Sequence, residues 1–172
     1  ATKRERRDDD NDDDDSLPPL TLSSINAHIT TSSSPPSTGP YGLDLEWSGP
    51  TGVDVLQLSW PVAGGGVAVR IYRPRLSLGL DAAVADVLEG PELKVGWGVR
   101  QDVLRLAPYA NVTNLLDLQV QRGGRAPSLA AAVGRALGMK MDKGQRNSDW
   151  GRRTLGDEQR EYAALDAAAV LR

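Results

Sequence analysis

From Tyr41 onward the chain runs through three short apolar segments, YGLDLEW, VDVLQLSW and GVAVRIYRP, each the length of one strand. Ser48-Gly49-Pro50-Thr51-Gly52 separates the first two, and Gly64-Gly65-Gly66 interrupts the approach to the third. Both stretches suit tight reversals, because glycine adopts positive φ at no steric cost. Three strands joined by short turns predict an antiparallel meander. The period then changes: LGLDAAVADVLEG sets Leu80, Val84, Val87 and Leu88 at helical spacing and stops at Gly90-Pro91. KVGWG reads as a short buried strand, VRQDVLRLAPYA as a helix with Val99, Val103, Leu104 and Leu106 on one side, and NVTNLLDLQ as a further strand. SLAAAVGRALG is helical, with Ser128 as N-cap and Gly138 as stop. Residues 139–153 form a polar, basic connector, and DEQREYAALDAAAVLR closes as a helix rich in Ala, Leu and Glu. Antiparallel strands first, then alternating helices and strands, predict an α/β domain: one mixed β-sheet with helices on its faces.

The 172 residues suffice for one domain with a real core. Cysteine is absent, which excludes disulfides, thiolate metal sites and cysteine nucleophiles, and the single histidine, His28, lies in a Ser/Thr-rich stretch before the first strand, which argues against histidine-based triads and His-clustered metal sites. Hydrolytic chemistry in such a chain must rest on carboxylates. The net charge of −3 is set by residues 1–15, where four basic residues face eight acidic ones; the remainder is close to neutral. Residues 1–40 join a basic cluster (Lys3 to Arg7), an Asp-rich run to Asp15 and a Ser/Thr/Pro-rich stretch, so they are expected to form a disordered tail ahead of a domain over 41–172. No apolar run reaches the roughly 18 residues of a membrane span. The expected setting is intracellular, and the Lys3–Arg7 cluster is compatible with either a nuclear address or an ordinary solvated tail.

Asp44 and Glu46 lie two apart in the first strand, so both leave one face while Leu43, Leu45 and Trp47 take the other. Adjacent carboxylates repel unless a cation joins them, and a hard divalent ion such as Mg²⁺ or Mn²⁺ does so with oxygen ligands. Tyr162 and Asp166 lie four apart in the last helix, one above the other. Asp102 follows the Gly96-Trp97-Gly98 run, where a strand gives way to a helix. Each taken alone also fits a solvated surface acid.

Their order and spacing decide between these readings. A first-strand Asp-x-Glu, a central Gly-x-Gly-x-x-x-Asp and a terminal Tyr-x-x-x-Asp together resemble the 3′-5′ exonuclease family of ribonuclease D and the Werner-type exonucleases. LDLEW, LQLSW, KVGWGVRQDVLRL, LLDLQ, SLAAAVGRALG, the run from Lys143 through Ser148-Asp149-Trp150, and DEQREYAALDA look like its blocks in order, over residues 41–172. The resemblance implies a ribonuclease-H-like fold in which Asp44, Glu46, Asp102 and Asp166 hold two divalent metal ions, Mg²⁺ or Mn²⁺. It further implies that Tyr162 positions the attacking water. The implied partner is a DNA or RNA 3′ end, with the LDLEW and LQLSW blocks closer to the Werner-type branch and therefore to DNA. Asp117 matches an acidic family position and reads as local support, not as a ligand.

Lys143 and Arg146 belong to a connector with three excess positive charges, fit either to contact phosphates or to stay solvated. Trp47 could stack on a terminal base or pack in the core. Family members usually carry a further strand and helix before the first motif and continue past the last acid, so a domain shortened at both ends, lacking an edge strand, is expected. A competing reading is a catalytically inactive nucleic-acid-binding or scaffolding module on the same fold. Nothing in the chain encodes a helicase, so unwinding would need a partner.

Overall fold

The computed structural model describes residues 16–31, 34–77, 79–119 and 126–172. The Lys3–Arg7 cluster and the Asp-rich run lie outside them. Among the described residues six strands form one sheet: β1 (Ala27–Ile29), β2 (Tyr41–Glu46), β3 (Val55–Val62), β4 (Gly66–Tyr72), β5 (Lys94–Gly96) and β6 (Leu115–Asp117). Four helices accompany them among the same residues: α1 (Ala82–Glu89), α2 (Arg100–Leu106), α3 (Leu129–Leu137) and α4 (Asp157–Ala169). The strand order is β1-β4-β3-β2-β5-β6. The expected meander is present, since β2–β3 and β3–β4 are antiparallel, whereas β5 adds to β2 and β6 to β5 in parallel.

The strand alternation sorts side chains onto two faces. Tyr41, Leu43 and Leu45 of β2 and Leu56, Leu58 and Trp60 of β3 bury with Val84, Val87 and Leu88 of α1 and Leu106 of α2. On the opposite face Val67 and Val69 of β4 pack with Val133 of α3 and Ala164, Ala167 and Ala168 of α4. Helices therefore cover both faces. Alanine dominates the buried side of α4, so little side-chain bulk separates that helix from β2, β3 and β4. Ser128 caps α3 by accepting from the Ala131 N–H at 3.1 Å, and Gly138 ends it in the left-handed region at φ 63°. Of the four residues expected on the core side of α2, Val99 and Leu106 are buried, but Leu104 points to solvent at 63 % exposure. Leu104 is one residue on from Val103, a rotation of about 100° on a 3.6-residue helix, which turns it off the stripe that Val99 and Leu106 share.

The tail expected to be disordered is in part folded. The chain contributes the edge strand thought to be missing: β1 runs parallel to β4, pairing Ala27 with Val67 and Ile29 with Val69. Pro19 accompanies it in an isolated parallel pairing with Lys140, whose carbonyl accepts from the Leu20 N–H at 2.7 Å. Leu20 and Ile25 are 4 % and 6 % exposed within the cluster that holds Leu165 and Met141, and the Arg172 guanidinium donates to the Ile25 carbonyl at 2.6 Å. Burying two aliphatic side chains stabilises by about 1.5–3 kcal/mol each, enough to order a short segment that polar composition alone would leave free.

Tyr72 in β4 is 7 % exposed and its hydroxyl has no hydrogen-bond partner among the described residues. Burial pushes the phenol up to about 12, with Arg70 opposing and Asp81 adding to the shift. An unfolded tyrosine titrates near 10, so the folded chain resists ionisation. The contribution to stability is whole below pH about 10 and is lost as pH rises toward about 12. Tyr72→Phe is expected to raise stability at neutral pH by about 1 kcal/mol, because an unpaired buried hydroxyl is gone. Denaturant unfolding should also show a shallower alkaline loss than in the native chain; an equal or steeper loss would count against the assignment.

Candidate active site

Asp44 and Glu46 leave the α4-facing side of β2, near the C-terminal end of the strand. Gly42, on the same face, allows α4 to cross close by: Ser59 of β3, its ladder partner, donates from Oγ to the Ala167 carbonyl at 2.6 Å. That contact sets the helix so that Asp166 meets the strand carboxylates. One oxygen from each of Asp44, Glu46 and Asp166 lies within 4.8 Å of the other two. Glu46 is 4 % exposed, and three carboxylates so close repel strongly unless a cation or protons intervene.

Tyr162 reaches the same cluster. Burial foremost, then the charges of Asp166, Glu46 and Asp44, push its phenol far above the ordinary tyrosine range, while Arg146 pulls the other way. The hydroxyl therefore remains protonated and able to donate. Its ring is held by Trp150, 1 % exposed, with centroids 6.0 Å apart. Trp150 is in turn fixed by its backbone neighbours. Gln159 of α4 donates from Nε2 to Ser148 Oγ at 2.9 Å and to the Asp149 carbonyl at 3.0 Å, and the Gly151 N–H donates to Ser48 Oγ at 2.9 Å.

Asp102 stands outside the group of three, buried in the first turn of α2. It belongs to the same end of the sheet, because β5 runs parallel to β2 and leads through Gly98 into α2. Gly98 has φ 67°, and its N–H donates to Asp117 Oδ1 at 2.8 Å. Asp117 thus steadies the turn that aims α2, in keeping with its reading as support. Arg146 is half-buried and close enough to act on the Tyr162 phenol; Lys143 is half-buried in the same connector. Trp47 packs partly into the core, and the Arg105 guanidinium lies over its ring at 4.2 Å from the centroid. One face of Trp47 is thereby taken, which leaves less of it for a base.

Two features at the site escaped the sequence reading. Asp54, 3 % exposed, accepts from the Ser48 N–H at 2.7 Å and pairs with Arg75 at 3.2 Å. Arg73 donates to the Asp54 carbonyl at 3.0 Å and to the Trp150 carbonyl at 3.1 Å, fastening the connector to the end of β2. The second is Gln57, a fully buried amide opposite Asp44 in the ladder. An acid just inside a turn and a glutamine in an alternating strand both look like solvent-facing residues until the covering elements are known.

In solved structures the fold recurs. Escherichia coli RNase D, an exoribonuclease involved in structured RNA processing, is 23% identical with a TM-score of 0.61, over 87% of this chain and 38% of that one. The catalytic core of RRP6 from Trypanosoma brucei is 22% identical with a TM-score of 0.67, over 90% of this chain and 46% of that one. NrnC of Brucella melitensis is 19% identical with a TM-score of 0.65, over 84% of this chain and 74% of that one. The chain thus spans under half the length of the RNase D and RRP6 structures it matches. No curated protein matches the chain. The family model described as 3′-5′ exonuclease matches residues 74–172, a stretch that holds Asp102, Tyr162 and Asp166, while Asp44 and Glu46 precede it. With more than half its length matched, and with Asp166 folded back onto the first-strand acids, the chain belongs to the 3′-5′ exonuclease family.

Proposed function

We propose that the chain removes nucleotides from a nucleic-acid 3′ end by metal-dependent hydrolysis, with Asp44, Glu46, Asp102 and Asp166 as ligands of two divalent ions. The observation that carries this reading is the convergence of Asp44, Glu46 and Asp166 within 4.8 Å, beside the Tyr162 phenol. The donor set fits: carboxylate oxygens suit Mg²⁺ and Mn²⁺, and the cluster's repulsion is relieved by positive charge. Asp102, at the same sheet end, would supply the fourth carboxylate, so that four negative charges together would balance two divalent ions. Bound there, the ions would neutralise charge on the phosphoryl and leaving oxygens and acidify the attacking water.

The chain's own groups do the rest. Tyr162, held neutral by its surroundings, donates its O–H to orient the attacking water toward the phosphorus. Trp150 and the Gln159 hydrogen bonds keep that phenol in place. Arg146 and Lys143, on the connector beside the phenol, would meet the backbone phosphates. The test is to incubate 5′-labelled single- and double-stranded DNA and RNA with the protein in Mg²⁺, Mn²⁺ or EDTA. Stepwise shortening that EDTA abolishes is expected; binding without shortening would favour an inactive module instead.

Tyr162→Phe should lower kcat by about 10²-fold, the usual worth of one positioned proton donor, with Mn²⁺ affinity unchanged. Calorimetric titration of Mn²⁺ checks the second half. A fall in affinity as large as that caused by losing Asp166 would overturn the orienting role.

A further inference from the structure

Gln57 lies in β3 with no exposed surface, and neither its Nε2 nor its Oε1 has a hydrogen-bond partner among the described residues. Across the β2–β3 ladder it is the partner of Asp44. Opposed residues in an antiparallel pair project to the same face with Cβ atoms about 4.5–5.5 Å apart, so amide and carboxylate leave the sheet side by side. Its neighbours two residues along the strand identify what covers it. Ser59 donates to the Ala167 carbonyl of α4, and Val55 packs with Ala163 and Trp150. The amide is therefore enclosed beneath the stretch of α4 that carries Asp166, on the buried flank of the acidic cluster.

An amide in that place has no packing justification. The other buried positions of β3 are apolar, as Val55, Leu56 and Leu58 are, or satisfied, as Ser59 is. Leucine or methionine would fill the same space without forfeiting hydration. What the amide adds is a pair of N–H donors beside a carboxylate whose orientation the chemistry requires. Ligand carboxylates are commonly hydrogen-bonded from behind, which fixes the lone pairs they turn toward the ion. The terminal torsion of glutamine is broad, so aiming Nε2 at Asp44 costs little.

We propose that Gln57 is a positioning residue, donating from Nε2 to the Asp44 carboxylate and fixing the orientation in which Asp44 ligates a divalent ion. The inference rests on the metal-dependent reading above. Its test uses the full chain as native protein, Gln57→Leu and Gln57→Met, with three measurements: calorimetric Mn²⁺ titration, thermal unfolding in EDTA, and steady-state hydrolysis of a 3′-labelled oligonucleotide. Both variants are expected to bind Mn²⁺ about 10- to 100-fold more weakly. They should unfold in EDTA at a temperature no lower than the native chain, and lose kcat with KM unchanged. A purely structural amide gives the reverse: earlier unfolding, or no cooperative unfolding at all, with any Mn²⁺ affinity within about twofold of native. That result overturns the proposal. Failure of the native chain itself to take up Mn²⁺ would end the metal reading and this inference together, whereas native-like uptake by both variants would remove this inference alone.

Discussion

Asp44→Asn and Asp166→Asn are each expected to cut 3′-end hydrolysis by about 10³-fold or more, the effect of losing several kcal/mol of charge stabilisation at the reacting phosphate. Stability should move in the other direction. Each variant removes one charge from three carboxylates whose oxygens lie within 4.8 Å, so the repulsion that the folded state bears without cations is reduced. In EDTA the variants should unfold at a temperature equal to or above that of the native chain. Adding Mn²⁺ should then separate them: a ligand that binds only the folded state raises its stability by RT ln(1 + [L]/Kd), so the native chain, which binds tightly, gains and the variants do not. Thermal unfolding with and without Mn²⁺, beside the labelled-end assay, reads both effects. Native-like hydrolysis, or a Mn²⁺-induced gain in Asp166→Asn equal to the native gain, would show that the cluster is not where the ions act.

The local parts of this site were legible in the sequence because each obeys one short period. Asp44 and Glu46 share a face through the two-residue repeat of a strand, and Tyr162 and Asp166 through the four-residue repeat of a helix. Their meeting is not a local property. It depends on β2 lying inside the sheet, between β3 and β5, and on α4 crossing that face, which only the family resemblance anticipated. The same blindness explains the misread tail. Leu20 and Ile25 are sparse among polar residues, and the groove that buries them is assembled from α3, α4 and Met141, more than a hundred residues later. Gln57 looked like the polar half of an alternating strand. Its burial follows from β3 being both interior and roofed by α4, neither of which a strand pattern encodes.

Gly42→Ala is the substitution expected to damage fold and site together. A Cβ at that position would lie 2.2 Å from the Ala167 carbonyl oxygen, 2.2 Å from Ser59 Oγ and 3.0 Å from Val170 Cγ2. The first of these is helix backbone, which cannot rotate aside, so α4 must lift from the sheet. Overpacking of this kind costs about 1–3 kcal/mol. For a chain of this size the unfolding temperature then drops by about 2–4 °C per kcal/mol. The larger consequence is positional: α4 carries Tyr162 and Asp166, and a shift of about 1 Å between reacting groups lowers rates by about 10²-fold. Activity should therefore fall much further than the fraction unfolded explains. Adding Ser59→Ala removes one clashing atom but leaves the carbonyl, so the double variant should recover little of either property. Gly42→Ala protein with native Mn²⁺ affinity, native unfolding temperature and native rate would mean that the approach of α4 to β2 does not determine the geometry of the acids.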